Sequence, residues 1–128
     1  MRIYFEPINI CQWNMFEKVS GKGHIETVLA TKEMVVGDII LLYVGKQDKR
    51  YESGVYAVGE IIGEPYVYQN DADAHCYNRL SADIQIISIN YSMPFITAKD
   101  FLKFNKQLRT VHIIDELFNE EILSKINK

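Results

Sequence analysis

Six consecutive apolar residues, Ile39-Ile40-Leu41-Leu42-Tyr43-Val44, stand between Gly37-Asp38 and Gly45. A run this short, fenced by turn formers and apolar at both alternations, predicts a strand covered on both faces. It therefore demands a fold with packing on two sides of the sheet. It is also far too short to span a bilayer. The polar stretch Gly45 to Ser53, which carries Lys46, Lys49 and Arg50, predicts an exposed hairpin loop. The next strand runs from Gly54 to Ile62, and its glycines predict a bulge or a close backbone approach.

The remaining elements follow from shorter signals. Arg2 to Glu6 alternates polar and apolar residues, and Pro7 is expected to end that first strand. Trp13, Phe16 and Val19 fall at helical spacing, which predicts a helix over Gln12 to Val19 with Ser20-Gly21 as its stop. Ile25, Val28 and Leu29 predict a second short helix from His24 to about Lys32. Glu64-Pro65 closes the ladder after Ile62. Ser81 to Asn90 predicts another strand, and Arg109 to Ile114 a last one. Thr97 with Asp100 predicts a capped helix through Phe104, and Asn119-Glu120-Glu121 a terminal helix with acids in its first turn. Strands outnumber helices without alternating with them. The chain is expected to form one α+β domain over residues 1–128, on a curved, mostly antiparallel sheet that closes toward a barrel flanked by short helices.

Charge and cysteine usage narrow the function classes. With 14 Lys and Arg against 17 Asp and Glu, the formal net charge is −3. A net negative chain does not hold nucleic acid by its overall field, so nucleic-acid binding would need a local pocket with a basic rim. Cys11 and Cys76 show no CxxC spacing and make no disulfide framework, which predicts reduced thiols and a cytoplasmic setting. The start of the chain lacks the apolar stretch of a signal peptide. Asp71, Asp73 and His75 alternate, but they mix ligand types in a polar loop without a closing residue, so no metal is predicted. No cofactor, membrane contact or catalytic residue is expected. Cys11 or Cys76 with His24 or His112 lacks any nucleophile signature, and Ser20-Gly21-Lys22-Gly23 is not a phosphate loop.

An ordered set of short motifs resembles a known family. Met34-Val35-Val36-Gly37-Asp38, the strand ending in Tyr43, and Gly59-Glu60-Ile61-Ile62-Gly63-Glu64-Pro65 resemble the EVE domain of the PUA-like superfold. Arg2 to Pro7 resembles its opening strand, Pro94-Phe95-Ile96-Thr97 its strand-to-helix step, and Asn119-Glu120-Glu121 its closing helix. The resemblance implies a PUA-like barrel related to YTH and ASCH domains. It also implies a non-catalytic reader that holds a flipped, modified base in an aromatic pocket. Some such domains serve modification-dependent restriction systems, so an NTPase-nuclease partner or fused domain and a DNA ligand, in preference to RNA, are further implications.

The chain departs from the family pattern where the pocket would be. The family's Arg-Asn-Tyr-Gln-Ala-Arg run aligns with Gly23-His24-Ile25-Glu26-Thr27-Val28, and its Tyr-His-Ser strand end with Tyr43-Val44-Gly45. The opening-strand Trp is missing, and the chain's one Trp is Trp13. The expected base pocket comprises Trp13, His24, Ile25, Glu26, Thr27, Tyr43 and Gly45. Trp13 and Tyr43 would form the walls, and Glu26 would accept from an exocyclic amine. Lys22, Lys46, Lys49 and Arg50 are the expected phosphate contacts. Two alternatives remain: a general RNA-binding PUA-like module, and an ASCH-like hydrolase of modified nucleosides. The ASCH pattern Gly-x-Lys-x-x-Glu-x-Arg meets Gly21-Lys22-Gly23-His24-Ile25-Glu26-Thr27 one position out of register and without the Arg, which disfavours the hydrolase.

Overall fold

A computed structural model describes residues 1–73 and 75–126, so Ala74 of the Asp71–His75 segment lies outside the described residues. The strands are β1 (Ile3–Ile8), β2 (Ile25–Leu29), β3 (Ile39–Val44), β4 (Gly54–Ile61), β5 (Tyr66–Val67), β6 (Leu80–Ile89), β7 (Ile96–Thr97) and β8 (His112–Ile113). The helices are α1 (Met15–Lys18), α2 (Ala98–Phe101) and α3 (Asn119–Ile126). One sheet runs β2-β6-β4-β3-β1-β8, with β5 on β6 and β7 on β4. Only β1 with β3 is parallel among these pairings. The sheet curls into a half-barrel, which is the expected α+β class.

β3 is buried at all six positions, as its composition demands. Ile40, Leu42 and Val44 pack inward with Tyr4, Ile8, Met15, Val28 and Ile84. Ile39, Leu41 and Tyr43 pack outward with Ile3 and Phe5 of β1 and with Phe101, Ile122 and Ile126 of the later helices. The Gly-Asp turn that starts β3 is a junction. Asp38 is 2% exposed, and its carboxylate accepts from the backbone N–H of Arg2 at 3.0 Å and of Val35 at 3.1 Å. Gly37 adopts φ 96°, a left-handed conformation that suits glycine, and its N–H donates to the Ile61 carbonyl.

Two bulges supply the curl. The β3–β4 register shifts between Leu42 and Tyr43, and the β4–β6 register shifts at Val58/Gly59. Both readings of the β4 glycines hold. A Cβ on Gly59 would meet Ile84 Cδ1 at 2.7 Å, and one on Gly54 would collide with the Ile96 carbonyl oxygen.

Three expectations need correction. The segment from His24 is not a helix but strand β2, antiparallel to β6 from Ile25↔Gln85 to Leu29↔Ser81. β-branched Ile25, Thr27 and Val28 suit a ladder, and the partner strand supplies the hydrogen bonds a short helix lacks. The first helix is shorter than expected. The Asn9 carbonyl accepts from Gln12 and Trp13, and Asn14 caps α1 by accepting from Phe16 N–H at 3.1 Å. Trp13 therefore lies in the turn before the helix. Pro7 does not end β1, which continues to Ile8. Arg2 and Ile8 carbonyls face β3, accepting from Ile39 and Gly45, whereas the Ile3 carbonyl accepts from Ile114 on the other side. By alternation Pro7 faces that other side, beyond the residues that β8 covers, so its missing N–H breaks no ladder bond. The Thr97 cap forms as expected, accepting from Asp100 N–H at 3.3 Å.

Gly54→Ala is expected to cost more stability than Gly59→Ala, roughly 1–3 kcal/mol, because it meets backbone where Gly59→Ala meets the end of a side chain. Urea midpoints of the two variants measure this. Equal midpoints would refute the close-approach reading of Gly54.

Candidate nucleic-acid site

Where β1, β2 and the turn around Trp13 meet, a cavity of about 20 Å³ is lined by Glu6, Ile8, Trp13, Thr27, Val28, His75 and Cys76, with Asp73 at its edge. It has room for about one water or one methyl-sized group. A groove of about 810 Å³ shares Trp13, Asp73 and His75 with it and adds Gln12, Lys18, Glu26, Ala72 and Arg79. A second groove of about 440 Å³ shares Glu6, Ile8 and His75, and continues past Tyr43, Gly45 and Arg109. A small, mostly apolar cavity thus opens between two larger, polar-edged channels.

Local sequence explains each position. Trp13 is half-buried, packed on the inward core from the turn that Asn9 holds. His75 and Cys76 come from a turn capped by Asp73, whose Oδ1 accepts from His75 N–H at 3.1 Å and Cys76 N–H at 3.2 Å. That role accounts for Asp73. Among the described residues, no three His, Cys, Asp or Glu side chains come together as a metal-binding group. Glu6 points inward because it alternates with Phe5 and Pro7, on the side of Tyr4 and Ile8.

Glu6 is the unusual group of the site. It is 1% exposed. Its Oε1 lies 4.0 Å from His75 Nε2, too far for a hydrogen bond, and its Oε2 is buried with no partner among the described residues. Burial pushes its pKa above the ordinary 4.5, and the nearby His75 and Arg79 offset this only in part. The Cys76 thiol is pushed up to about 11, mainly by burial, with Asp73 adding to it. A thiol in that state is a poor nucleophile.

The structure brings some of the expected residues together and separates others. Trp13 and Thr27 share the cavity, and Glu26 lines the adjoining groove. His24 sits behind Glu26, its Nε2 2.8 Å from Glu26 Oε1. Ile25 is 57% exposed and lines neither the cavity nor the grooves around it, because strand alternation turns it away from Glu26. Tyr43 is not a second wall beside Trp13. It is 4% exposed, packed on the outward core with its ring 5.3 Å from Phe5 and 5.8 Å from Phe101, and it borders only the second groove, as does Gly45. Lys22, Lys46 and Lys49 are exposed and line none of these three spaces. Arg50 lies in the same loop, held by Asp48 at 2.7 Å and set over the Tyr51 ring. The cations on the rim are instead Lys18 and Arg79 on one groove and Arg79 and Arg109 on the other.

Glu6→Gln is expected to raise stability at neutral pH. A carboxyl whose folded pKa is raised contributes most below its unfolded value near 4.5, and that contribution is lost as pH rises through the folded value. Each pKa unit is worth about 1.4 kcal/mol. The groups facing Glu6 are His75, Asp73, Cys76 and Arg79. The gain, measured by thermal unfolding from pH 3.5 to 8, should vanish at the acid end. A gain independent of pH would refute the assignment.

Comparison with known proteins places this geometry. The EVE domain family matches residues 14–123. No curated protein matches the chain. A hypothetical protein from Leishmania major superposes with a TM-score of 0.66 at 11% identity, covering 99% of this chain and 95% of that one. A crystal structure of a protein from Pseudomonas syringae gives 0.64 at 12% identity, over 95% and 97% of the two chains. A point mutant of the ASCH protein of Zymomonas mobilis gives 0.57 at 8% identity, over 97% and 98%. At these identities the shared property is the fold, a PUA-like half-barrel.

Proposed function

The chain belongs to the EVE domain family, and on that premise we propose that residues 1–128 act as one non-catalytic unit that reads a modified base in nucleic acid. EVE and other PUA-like domains bind nucleic acids in general. The observation that carries the finer reading is the half-buried Trp13 at the mouth of a methyl-sized, largely apolar cavity. An extruded base lies in the groove against the Trp13 ring, where stacking is worth about 1–3 kcal/mol. The base itself is too large for the cavity. Its added group enters, between Ile8, Val28 and Cys76, and each buried carbon contributes about 0.8 kcal/mol.

Lys18 and Arg79 flank the groove and take the neighbouring phosphates, with Lys22, Lys46 and Lys49 as outer contacts. Arg50 contributes less, because Asp48 already holds its guanidinium. Glu26 faces the same groove and His24 orients it, an arrangement suited to accepting from a base amine. The exposed Lys22 lines neither this cavity nor its grooves, which supports binding over Lys-Glu hydrolysis. DNA is the favoured ligand, and an NTPase-nuclease of a restriction system the favoured partner, cytoplasmic in setting.

Salt-titrated binding isotherms with matched modified and unmodified oligonucleotides, DNA and RNA, test this. Trp13→Ala, folded by circular dichroism, should weaken the modified ligand about ten-fold or more. Arg79→Ala and Lys18→Ala should weaken all ligands alike and flatten the salt slope. Equal affinity for modified and unmodified oligonucleotides would overturn modified-base reading. Turnover of a modified nucleoside abolished by Lys22→Ala or Glu26→Gln would overturn the non-catalytic reading.

A further inference from the structure

We propose that Glu26 makes the base site selective for bases that carry an exocyclic amine, with Ser20 and His24 as the positioning residues that hold its carboxylate for that contact. This rests on the reading of the Trp13 groove as a base site. Glu26 and Trp13 line the same groove of about 810 Å³, so the stacking face and the acceptor belong to one space. The groove's other carboxylate, Asp73, has its Oδ1 committed to the N–H groups of His75 and Cys76.

The hydrogen-bonded chain behind Glu26 is built by the turn Ser20-Gly21-Lys22-Gly23. Gly21 at φ 143° and Gly23 at φ 91° allow the turn, and His24 N–H donates back to the Gly21 carbonyl at 3.1 Å. β6 clamps its exit. Gly23 N–H donates to the Ile86 carbonyl at 2.7 Å, and the His24 carbonyl accepts from Ile86 N–H at 2.8 Å. Alternation then sets the side chains of His24 and Glu26 together. His24 Nδ1 lies 3.4 Å from the Ser20 backbone nitrogen and 3.1 Å from Ser20 Oγ. A backbone N–H can only donate, so Nδ1 is the acceptor and the ring proton sits on Nε2. Nε2 donates it to Glu26 Oε1 at 2.8 Å. The two side chains are 21% and 23% exposed, shielded by the fold and still open to the groove.

The chemistry of a held carboxylate selects the ligand. It offers about four lone-pair sites and no donor. His24 fills one, and the others call for N–H groups. Adenine, cytosine and guanine bring an amine. Thymine and uracil bring one N–H between two carbonyl oxygens, which the carboxylate repels. An amine with both hydrogens replaced brings none. Glu26 therefore admits amino bases, including those with a single N-alkyl group, and refuses keto pyrimidines and dialkylated amines.

The test uses single-stranded oligonucleotides with one central variable nucleotide, in pairs that differ in the amine. 5-Methylcytosine is set against thymine, and N6-methyladenine against N6,N6-dimethyladenine. They are bound to the full chain and to Glu26→Gln, Glu26→Leu, His24→Gln, His24→Ala and Trp13→Ala, each checked for folding by circular dichroism. The full chain should bind the N–H-bearing member of at least one pair about ten-fold or more tightly, as a hydrogen bond to a charged group allows. Glu26→Gln, whose amide turns to offer either a donor or an acceptor, should bring that pair within about three-fold, and so should Glu26→Leu. His24→Gln keeps an N–H donor toward Glu26 and should retain the preference that His24→Ala loses. Equal affinity within both pairs, or tighter binding of thymine, would overturn the proposal. Equal loss in His24→Gln and His24→Ala would overturn the positioning role. A preference that survives in Glu26→Leu while Trp13→Ala fails to bind would remove Glu26 and leave the base site standing. Trp13→Ala without effect, or no binding to any oligonucleotide, would remove the base site itself and Glu26 with it.

Discussion

A strand buried on both faces leaves no side on which its neighbours can place a charge cheaply. β3 is such a strand, and everything around it answers to that demand. Its inward residues require the turn before α1, the β2–β6 ladder and Met34. Its outward residues require α2, α3 and their aromatic side chains. Six buried side chains, at roughly 1.5–3 kcal/mol each for the large aliphatic ones, make it a major source of packing in the sheet. The Asp38 carboxylate fixes where this strand begins by holding the N–H groups of Arg2 and Val35. Through Arg2 it also sets the register of β1.

That register carries the site. β1 lies parallel to β3 from Ile3↔Ile39 to Ile8↔Val44. Alternation then sends Tyr4, Glu6 and Ile8 to the inward side. Two of the three are apolar and complete the core. The third, Glu6, brings a carboxyl into a place where, among the described residues, no backbone or side-chain donor meets its Oε2. A sheet built only for stability would have Leu or Val there. The conflict between local chemistry and burial is confined to one residue, and a cavity opens beside it. Violations of this kind concentrate at functional sites.

Much of the sheet was legible because its signals are local. The run at Ile39–Val44, the Gly-Asp turn, the close-packed glycines of β4 and the Thr97 cap each report a short-range physical requirement. The β2 segment was not legible. Ile25, Val28 and Leu29 fit a helical face, and only the partner β6, more than fifty residues away, decides for a strand. Tyr43 went to the wrong wall for a related reason: periodicity says that both faces of its strand are buried but not which face holds the cavity. Glu6 was hidden by Pro7. Ending the strand at proline treats every proline as a breaker, whereas an edge position tolerates one. A strand carried to Ile8 puts a charged residue between inward Tyr4 and Ile8, which is the signal of the cavity wall. His75 and Arg79 carry no comparable signal, because an intervening turn and a long chain separation bring them to β1.

The acidic balance of the chain gains meaning from this arrangement. With a net charge of −3, the protein's overall field repels a polyanion, and among the described residues the Lys and Arg that line the two grooves are Lys18, Arg79 and Arg109. Phosphate contacts of that number give weak, salt-sensitive association with any nucleic acid. On the proposed reading, affinity would come from what enters the space beside Trp13, where stacking and a filled cavity act together on one nucleotide. A basic surface would bind everywhere and blunt that choice. On that reading the missing positive field lowers the affinity of unmodified ligands more than that of the proposed one.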